Sequence, residues 1–577
     1  MKTSRIYAMK NREIAAIFEE VAIYLQMQDE VIFKVRAYEN AALALEGLAE
    51  DVEDIYKRGG IAALQEIPSI GRALAEKIEE YIKTNKMEFY DELRKKLPID
   101  LKGLRNIEGM GPRKILVLYK KLRVKDVDDL KKSAEAGKIR SLAGFGEKSE
   151  ANILKAIAIK EKSRGRMPLF EADPIVAEIV DVLSRAGAEQ ITAAGSYRRR
   201  KETIGDIDLL VVSNKPGKIM DAFTKMKSVI AVYAKGTTKS TVRLMYGLDA
   251  DLRIVERSSF GAALNYFTGS KDHNVALRKI SIFRGMKLNE YGLYKGKKQV
   301  AGENEEGLYK ALGLRYIEPE LRENSGEIEA SKKNTLPNLI GYSDLAGDLQ
   351  VQTSWTDGSS SIEDMARAAS KIGLEYIAIT DHTKSLAMTG GLDEKKLAKQ
   401  GEEIDKISEK LGNIAILKGA EVNIMKDGTL DIASAALRKL DVVGAAVHSN
   451  FALSKDQMTR RLIRAIENPD VDVLFHPTGR IVGKREPYDI DIEQVMDAAK
   501  SSGTVLEIDS LERLDMKDEH IRLAVRRGVK LCIDSDAHSP SHFSALRFGL
   551  AQARRGWASK KDVINAWPLE KMQKMLK

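Results

Sequence analysis

Apolar residues recur every third or fourth position through Arg12 to Leu25 and again through Leu74 to Ile82. That spacing lines one face of a helix, so the chain up to about residue 165 is expected to be helical. From Pro168 onward the rhythm changes. Short, β-branched apolar runs alternate with helical spacing, as in Leu209-Leu210-Val211-Val212, which reads as a buried strand. A charged, Ser- and Asn-containing stretch from Glu318 to Asn338 reads as a linker. Beyond it, Tyr376-Ile377-Ala378-Ile379-Thr380 and Val442 to Val447 alternate with helices, predicting a parallel, barrel-like α/β domain.

An internal repeat punctuates the helical part. Ile67-Pro68-Ser69-Ile70-Gly71, Ile107-Glu108-Gly109-Met110-Gly111 and Leu142-Ala143-Gly144-Phe145-Gly146 share one form: apolar, two variable residues, apolar, glycine. A helical pattern follows each, over Arg72 to Ile82, Pro112 to Tyr119 and Glu147 to Ile157. This is a helix-hairpin-helix signature, in which unpaired N–H groups at the start of the second helix meet a phosphate. A glycine between two helices is also an ordinary C-cap, but three copies favour binding to a nucleic-acid backbone. Gly71, Gly109, Gly111, Gly144 and Gly146 are the expected DNA contacts.

The α/β part opens on Gly195-Ser196-Tyr197-Arg198-Arg199-Arg200, then Gly205-Asp206-Ile207-Asp208. On a strand, Asp206 and Asp208 share a face, and carboxylates held that close repel unless a cation lies between them. Many acidic strand ends carry the same string with no such role. Here Asp249-Ala250-Asp251-Leu252-Arg253 adds a third strand-borne carboxylate. Two-metal phosphoryl transfer needs such bridging groups, and Mg²⁺ suits a site of hard oxygens. A Gly-Ser turn flanked by arginines suits a polyphosphate.

Composition narrows the class without naming the chemistry. The 577 residues are too many for one core, and 43% hydrophobic with 31% charged residues is the balance of a folded soluble protein. No apolar run approaches a membrane span, and Met1 to Arg5 leads into a polar helix rather than a signal core. A single cysteine, Cys532, allows no internal disulfide and fits a reducing cytoplasm. A net charge of +9 is compatible with a nucleic-acid partner.

The order Gly195-Ser196-x-Arg198-Arg199, Gly205-Asp206-Ile207-Asp208, Asp251-Leu252-Arg253, Tyr266-Phe267-Thr268-Gly269-Ser270 resembles the family X DNA polymerases. The resemblance covers roughly residues 1–320. It implies gap-filling DNA synthesis in repair, with gapped or primer-template DNA and a dNTP as substrates and the chain a monomer. Asp206, Asp208 and Asp251 become the Mg²⁺ or Mn²⁺ triad. Gly195, Ser196, Arg199 and Gly205 surround the triphosphate, Tyr266, Phe267 and Gly269 the sugar, and Asn274 and Arg278 the minor-groove side of the new pair. Arg200 departs from the family, where glycine is usual, and is expected to restrict the loop or add a phosphate contact. The N-terminal module resembles the family's 5′-phosphate and lyase domain. That match implies Lys77 as Schiff-base lysine, with Lys34 and Tyr38 at the phosphate.

Further on, His382, His448, His476 and His538 each end a predicted strand. With Glu421 and Asp357 they suggest a metal cluster at one end of the barrel. Residues 341–577 resemble the polymerase-and-histidinol-phosphatase (PHP) domain. By motif its Zn²⁺ or Mn²⁺ ligands would be Asp357, His382, Glu421, His448, His476, Asp536 and His538, serving a 3′–5′ exonuclease or phosphodiesterase. The first motif departs: Asp348-Leu349 is followed by Gln350-Val351-Gln352 where the family has His-x-His. An amide is a far poorer transition-metal ligand than imidazole, so impaired nuclease activity is expected. Asn423 and Asp509 also differ from common members.

The resulting division is an N-terminal lyase-like helical domain (1–88), a fingers-like helical subdomain (89–165), a nucleotidyltransferase palm (166–260), a nucleotide-selection subdomain (261–320), a linker (321–340) and the PHP domain (341–577). The rival functions are a PHP-dependent exonuclease or phosphoesterase as the main activity, a non-catalytic DNA-end scaffold, and a nucleotidyltransferase acting on RNA or a small acceptor.

Overall fold

The amphipathic spacing of the N-terminal part does fold as helices in the computed structural model, which describes residues 8–576 apart from 29, 47, 49, 106, 108, 109, 163 and 164. Helices Ala8–Met27, Ile32–Glu46, Val52–Gln65, Arg72–Thr84 and Glu88–Lys96 bury one apolar core. Helices Pro112–Leu122, Val127–Glu135 and Glu147–Lys162 extend it. No helix among the described residues is long and apolar enough to cross a membrane.

The palm is a five-stranded mixed sheet backed by helices Leu169–Arg185 and Pro216–Thr224. Strand Asp206–Val212 lies between Gln190–Ala193, antiparallel to it, and Asp249–Ile254, parallel to it. Ile207, Leu209 and Val211 face the buried side with Ala250 and Leu252, which leaves Asp206, Asp208 and Asp251 on the other face. Strands Lys239–Leu244 and Val229–Lys235 finish the sheet. Helices Phe260–Thr268 and Lys271–Phe283, a three-stranded antiparallel sheet over 287–301 and helix Glu305–Ala311 form the next unit.

The stretch read as a linker is not a solvated connector. It holds the helix Glu327–Lys332, and Glu320, Arg322 and Glu327 are buried in it. Its charges are paired inward: Glu327 meets His273 Nδ1 at 2.6 Å, and Arg322 binds Glu305. Charge content signals solvent only where the charges lack partners.

Seven parallel strands in sequential order build the C-terminal domain, from Gly347–Val351 and Tyr376–Ile379 to Val505–Asp509 and Leu531–Asp534. A bridge between Val351 and Ala537 nearly closes them into a barrel. Its strands are apolar on both faces, as a parallel sheet covered by helices requires.

The barrel is joined to the palm. Val482, Leu514, Ala545 and Phe548 enter the palm's own core. Arg480 makes two hydrogen bonds to Glu202, at 3.1 and 2.9 Å, and Arg547 reaches Asp173 at 2.7 Å.

Glu305 is the buried carboxylate that fastens the selection subdomain to the palm. It accepts from Arg198 at 3.0 and 2.6 Å and from Arg322. Burial opposes its charge, but the two guanidiniums prevail and hold its carboxyl down at about 2, from a usual 4.5. A depressed carboxyl stabilises the fold fully above pH 4.5, and that contribution is lost as pH falls through 2. Glu305→Ala should cost about 3–5 kcal/mol in denaturant unfolding near neutral pH, because two guanidiniums lose their partner. The difference between wild type and variant should shrink below pH 4, which urea titrations at stepped pH would measure.

Candidate functional site

Strand register assembles the palm carboxylates. Asp208 pairs with Asp251 across the parallel strands, and Asp206 pairs with Asp249 one step earlier. Asp206, Asp208 and Asp251 therefore form a triangle on one sheet face. Burial, then the neighbouring Asp206 and Asp251, raise the Asp208 carboxyl to about 7. Asp251 is steadied by Thr241, whose hydroxyl donates at 2.5 Å, and by Lys239 at 3.4 Å. A pocket of crowded carboxylates with so little cationic compensation fits a divalent cation, and these three residues would hold it.

Beside the triad lies a cleft of about 1080 Å³. Gly195 turns into it with φ 59°, where a Cβ would stand 2.5 Å from Asp208 Oδ2. Glycine is thus required there twice over, by conformation and by space. The Ser196 hydroxyl is buried in this wall and has no hydrogen-bond partner among the described residues. Gly205 likewise leaves room for Arg166, whose Nη1 would lie 2.9 Å from a Cβ.

Arg199 lines the cleft but is already engaged. Its Nε donates to Glu323 at 3.0 Å, and its Nη1 reaches the Thr268 carbonyl. Arg200 turns away from the cleft. Its φ of 55° explains why a glycine suits the position, and its guanidinium lies over Tyr197 at 5.1 Å and Tyr342 at 6.0 Å. It packs at the seam with the barrel, where Gln552 donates to its carbonyl at 2.9 Å. The expected phosphate contact from Arg200 is not what the side chain makes.

The opposite wall carries Tyr266, Phe267, Gly269, Asn274 and Arg278. Tyr266 and Phe267 meet edge to face at 5.0 Å, and Arg253 covers the Phe267 ring at 4.5 Å. Asn274 donates to the Tyr266 carbonyl at 2.7 Å and leaves its own Oδ1 without a hydrogen bond among the described residues. Sequence reasoning missed the remaining wall. Lys517, Arg522, Gln552, Arg555 and Trp557 come from the barrel, far along the chain, and no local signal marks them.

In the N-terminal domain, Lys34, Lys77 and Tyr38 converge on Phe89, which sequence reasoning did not single out. Lys77 Nζ lies 5.1 Å and Lys34 Nζ 5.9 Å from the ring centroid, and Tyr38 stacks on it at 6.1 Å. Gly71 and Gly111 cap helices with ordinary φ of −80° and −81° and no side-chain cap, and a Cβ on either would meet nothing. What glycine provides there is an open helix N-terminus rather than a special turn. Gly146 is equally open, Gly144 has φ 83°, and Gly109 lies outside the described residues.

At the C-terminal mouth of the barrel all seven expected ligands meet. Glu421 is the hub: His448 Nε2 and His476 Nε2 lie 2.9 Å from its Oε1, and His382 Nδ1 lies 3.2 Å from Oε2. Asp357 joins His382 at 3.5 Å to His538 at 3.7 Å, and Asp536 follows at 3.9 Å from His538. His476 and Asp536 adopt positive φ, 31° and 48°, a strain common at functional sites. Asn423 Oδ1 sits 2.8 Å from His448 Nδ1 and orients that ring.

Two sets of donor atoms, Asp357/His382/His538 and His382/Glu421/His448, are close enough to hold an ion. Burial opposes charge on His382, yet Glu421 and Asp357 raise it to about 9; Asp536 and Asp357 likewise lift His538 to about 10. A cation bound here would have to displace those protons.

The two glutamines differ in effect. Gln352 Nε2 donates to Glu421 Oε2 at 2.8 Å, whereas both amide atoms of the fully buried Gln350 lack a hydrogen bond among the described residues. Arg513 adds a built-in cation, 3.0 Å from Asp509 and 3.7 Å from Asp536.

Comparison with known proteins agrees with this layout. A helix-hairpin-helix model matches residues 9–87 and a tandem helix-hairpin-helix model residues 101–158. The DNA polymerase beta palm matches 166–251, its thumb 263–323, and the PHP domain 348–509. The DNA polymerase/3′-5′ exonuclease PolX of Bacillus subtilis (strain 168) is 36% identical over 99% of this chain and 100% of its own length. A probable phosphatase of Thermoanaerobacter sp. (strain X514) is 35% identical over 31% of this chain and 73% of its own length. A solved ternary complex of Leishmania infantum polymerase beta is 24% identical, covering 39% of this chain and 97% of that one, with a TM-score of 0.26. With its palm, thumb and PHP modules in this order and a full-length relative, the chain belongs to the PolX-type family X DNA polymerases.

Proposed function

We propose that this polymerase fills gaps in duplex DNA during repair, using Mg²⁺ or Mn²⁺ at Asp206, Asp208 and Asp251, and that its PHP barrel has reduced hydrolytic capacity. The observation that carries the first part is the carboxylate triangle beside a cleft with an unpartnered Ser196 hydroxyl. Divalent ions held by the triad supply charge neutralisation for phosphoryl transfer. The chain's own residues do the rest.

Ser196 and the turn at Gly195 cradle the triphosphate, and Arg199 turns from Glu323 to the phosphates when a nucleotide enters. Gly205 keeps the approach clear. Tyr266 and Phe267 pack the sugar, with Gly269 allowing the bend between them and the next helix. Asn274 and Arg278 face the minor-groove side of the nascent pair. Upstream, the open helix N-termini at Gly71, Gly111 and Gly146, with the turn at Gly144, hold strand phosphates without reading bases. Lys77 is the candidate Schiff-base lysine, next to Lys34 and Tyr38 on the Phe89 ring.

For the barrel, Gln350 and Gln352 support the reduced reading. One amide spends its donor on Glu421 and the other offers no imidazole, so the ligand set falls short of a full three-ion centre. A working 3′–5′ exonuclease is the second reading. It is favoured by the two donor clusters still in place and by the activity named for the Bacillus subtilis relative.

A 5′-labelled primer on a one-nucleotide-gapped duplex decides between them. Extension should fall by about 10²-fold or more in Asp251→Asn, with no 3′ shortening in wild type; shortening that disappears in His448→Ala would establish the second reading. The double variant Gln350→His, Gln352→His should bind an added equivalent of Mn²⁺ or Zn²⁺ by calorimetry and raise 3′ shortening. Unchanged metal stoichiometry would mean the glutamines are not the limiting defect. Borohydride should trap wild type on a 5′-deoxyribose-phosphate end but not Lys77→Ala, and no wild-type adduct would remove the lyase assignment.

A further inference from the structure

The nucleotide cleft is not built by the palm and selection subdomain alone. One side of it is the barrel: the helix Asp518–Arg527 with the preceding Lys517, and the helix Leu546–Arg555 with the following Trp557. The barrel is locked there. Arg555 donates to the Arg199 carbonyl at 2.8 Å and to Glu323 at 3.1 Å, while its other Nη reaches Asp518. Gln552 holds the next carbonyl, that of Arg200. The backbone of the turn after Ser196 is therefore gripped by the barrel.

Two of the barrel's cations on this wall are not held in a direct ion pair. Neither Lys517 nor Arg522 has an ion pair within 4.0 Å among the described residues. Arg522 Cζ lies over the Trp557 indole, 4.1 Å from the ring centroid, and its buried Nε has no hydrogen-bond partner among the described residues. Burial and then Arg526 act against its charge, and Glu327 and Asp518 favour it without pairing with it directly. Of the two acids on the same wall, Asp518 is taken up by Arg555 and Glu519 is exposed to solvent. A partly desolvated guanidinium over an indole beside a cleft, outside any direct ion pair, is arranged for a phosphate oxygen.

We propose that the barrel completes the nucleotide site, with Lys517 and Arg522 binding the triphosphate end of the incoming nucleotide and Arg555 positioning Arg199 and Glu323. This rests on the polymerase reading and names what it leaves open: which residues outside the palm hold the phosphates. The occupant is a triphosphate rather than a DNA strand because this wall adjoins Ser196 and Arg199 and shares their cleft. On this view the PHP barrel serves the polymerase site whatever its own mouth can hold.

Single-nucleotide insertion by the full chain on gapped DNA tests the proposal, with KM for dNTP, kcat and DNA affinity measured separately. The double variant Lys517→Ala, Arg522→Ala should raise KM for dNTP about tenfold with a much smaller loss in kcat. The inhibition constant of inorganic tripolyphosphate should rise in parallel, and Arg522→Lys should recover part of both. If the double variant fails to fold, Lys517→Ala with Arg522→Met replaces it, since methionine keeps contact with Trp557. An unchanged KM and tripolyphosphate constant would overturn the proposal, as would a loss confined to DNA affinity, which would assign the wall to a strand phosphate. Wild-type protein that extends no primer would instead remove the polymerase reading itself.

Discussion

Four consecutive cations, Arg198, Arg199, Arg200 and Lys201, follow the Gly-Ser turn, and the architecture depends on where each is sent. Arg198 goes to the buried Glu305 of the selection subdomain. Arg199 goes to Glu323 at the start of the barrel connection, and Lys201 lies 3.8 Å from the same carboxylate. Arg200 goes to the aromatic seam of Tyr197 and Tyr342. Charges packed that densely repel unless carboxylates or aromatic faces take them up. Sending them to different units gives the turn a fixed shape and makes it the junction of palm, selection subdomain and barrel. Glu323 is the shared element, because it also receives Arg555 from the barrel.

The two acidic centres handle their charge by different means. In the palm, Asp206, Asp208 and Asp251 crowd together; Lys239 lies near Asp251, and Arg253 and Arg199 favour the charged Asp208, yet burial and the two other aspartates keep its proton on to about 7. That deficit is the driving force for taking up an external cation. In the barrel, Glu421 is surrounded by donors from Gln352, His382, His448 and His476. Burial opposes its charge, and the imidazoles overcome that and hold the carboxyl well below its usual range. Arg513 lies 3.0 Å from Asp509 and 3.7 Å from Asp536, but burial and the neighbouring Asp536 still hold the Asp509 carboxyl well above its usual range. The barrel mouth is thus largely neutralised from within, which lowers what an added ion gains there.

The sequence was most informative where chemistry and secondary structure coincide. Asp206 and Asp208 share a strand, so the two-residue period places them together, and glycine at 195 marks a turn that admits no Cβ. The helical first part, the strand rhythm and the barrel were legible for the same reason: apolar periodicity is local. Pairing of Asp208 with Asp251, by contrast, is a fact of register between distant strands, and only the resemblance supplied it. The stretch from Glu318 to Asn338 was misread because composition counts charges and does not show that Arg322 meets Glu305 or that Glu327 meets His273. Phe89 was invisible as the ring joining Lys34, Lys77 and Tyr38, since aromatic residues are ordinarily core.

The two glutamines at the barrel mouth differ in how they are held. Glu421 is buried and needs hydrogen-bond donors around it. Gln352 supplies one by donating at 2.8 Å but leaves its own Oε1 without a partner among the described residues, where both amide atoms of the fully buried Gln350 also lack one. Burying an unsatisfied amide costs about 1–3 kcal/mol. That cost is carried in a domain whose apolar core is large and whose far side grips the polymerase turn. The constraint on the barrel is therefore set as much by its contact with Arg199 and Arg200 as by its own mouth, and the glutamines lie where that contact does not reach.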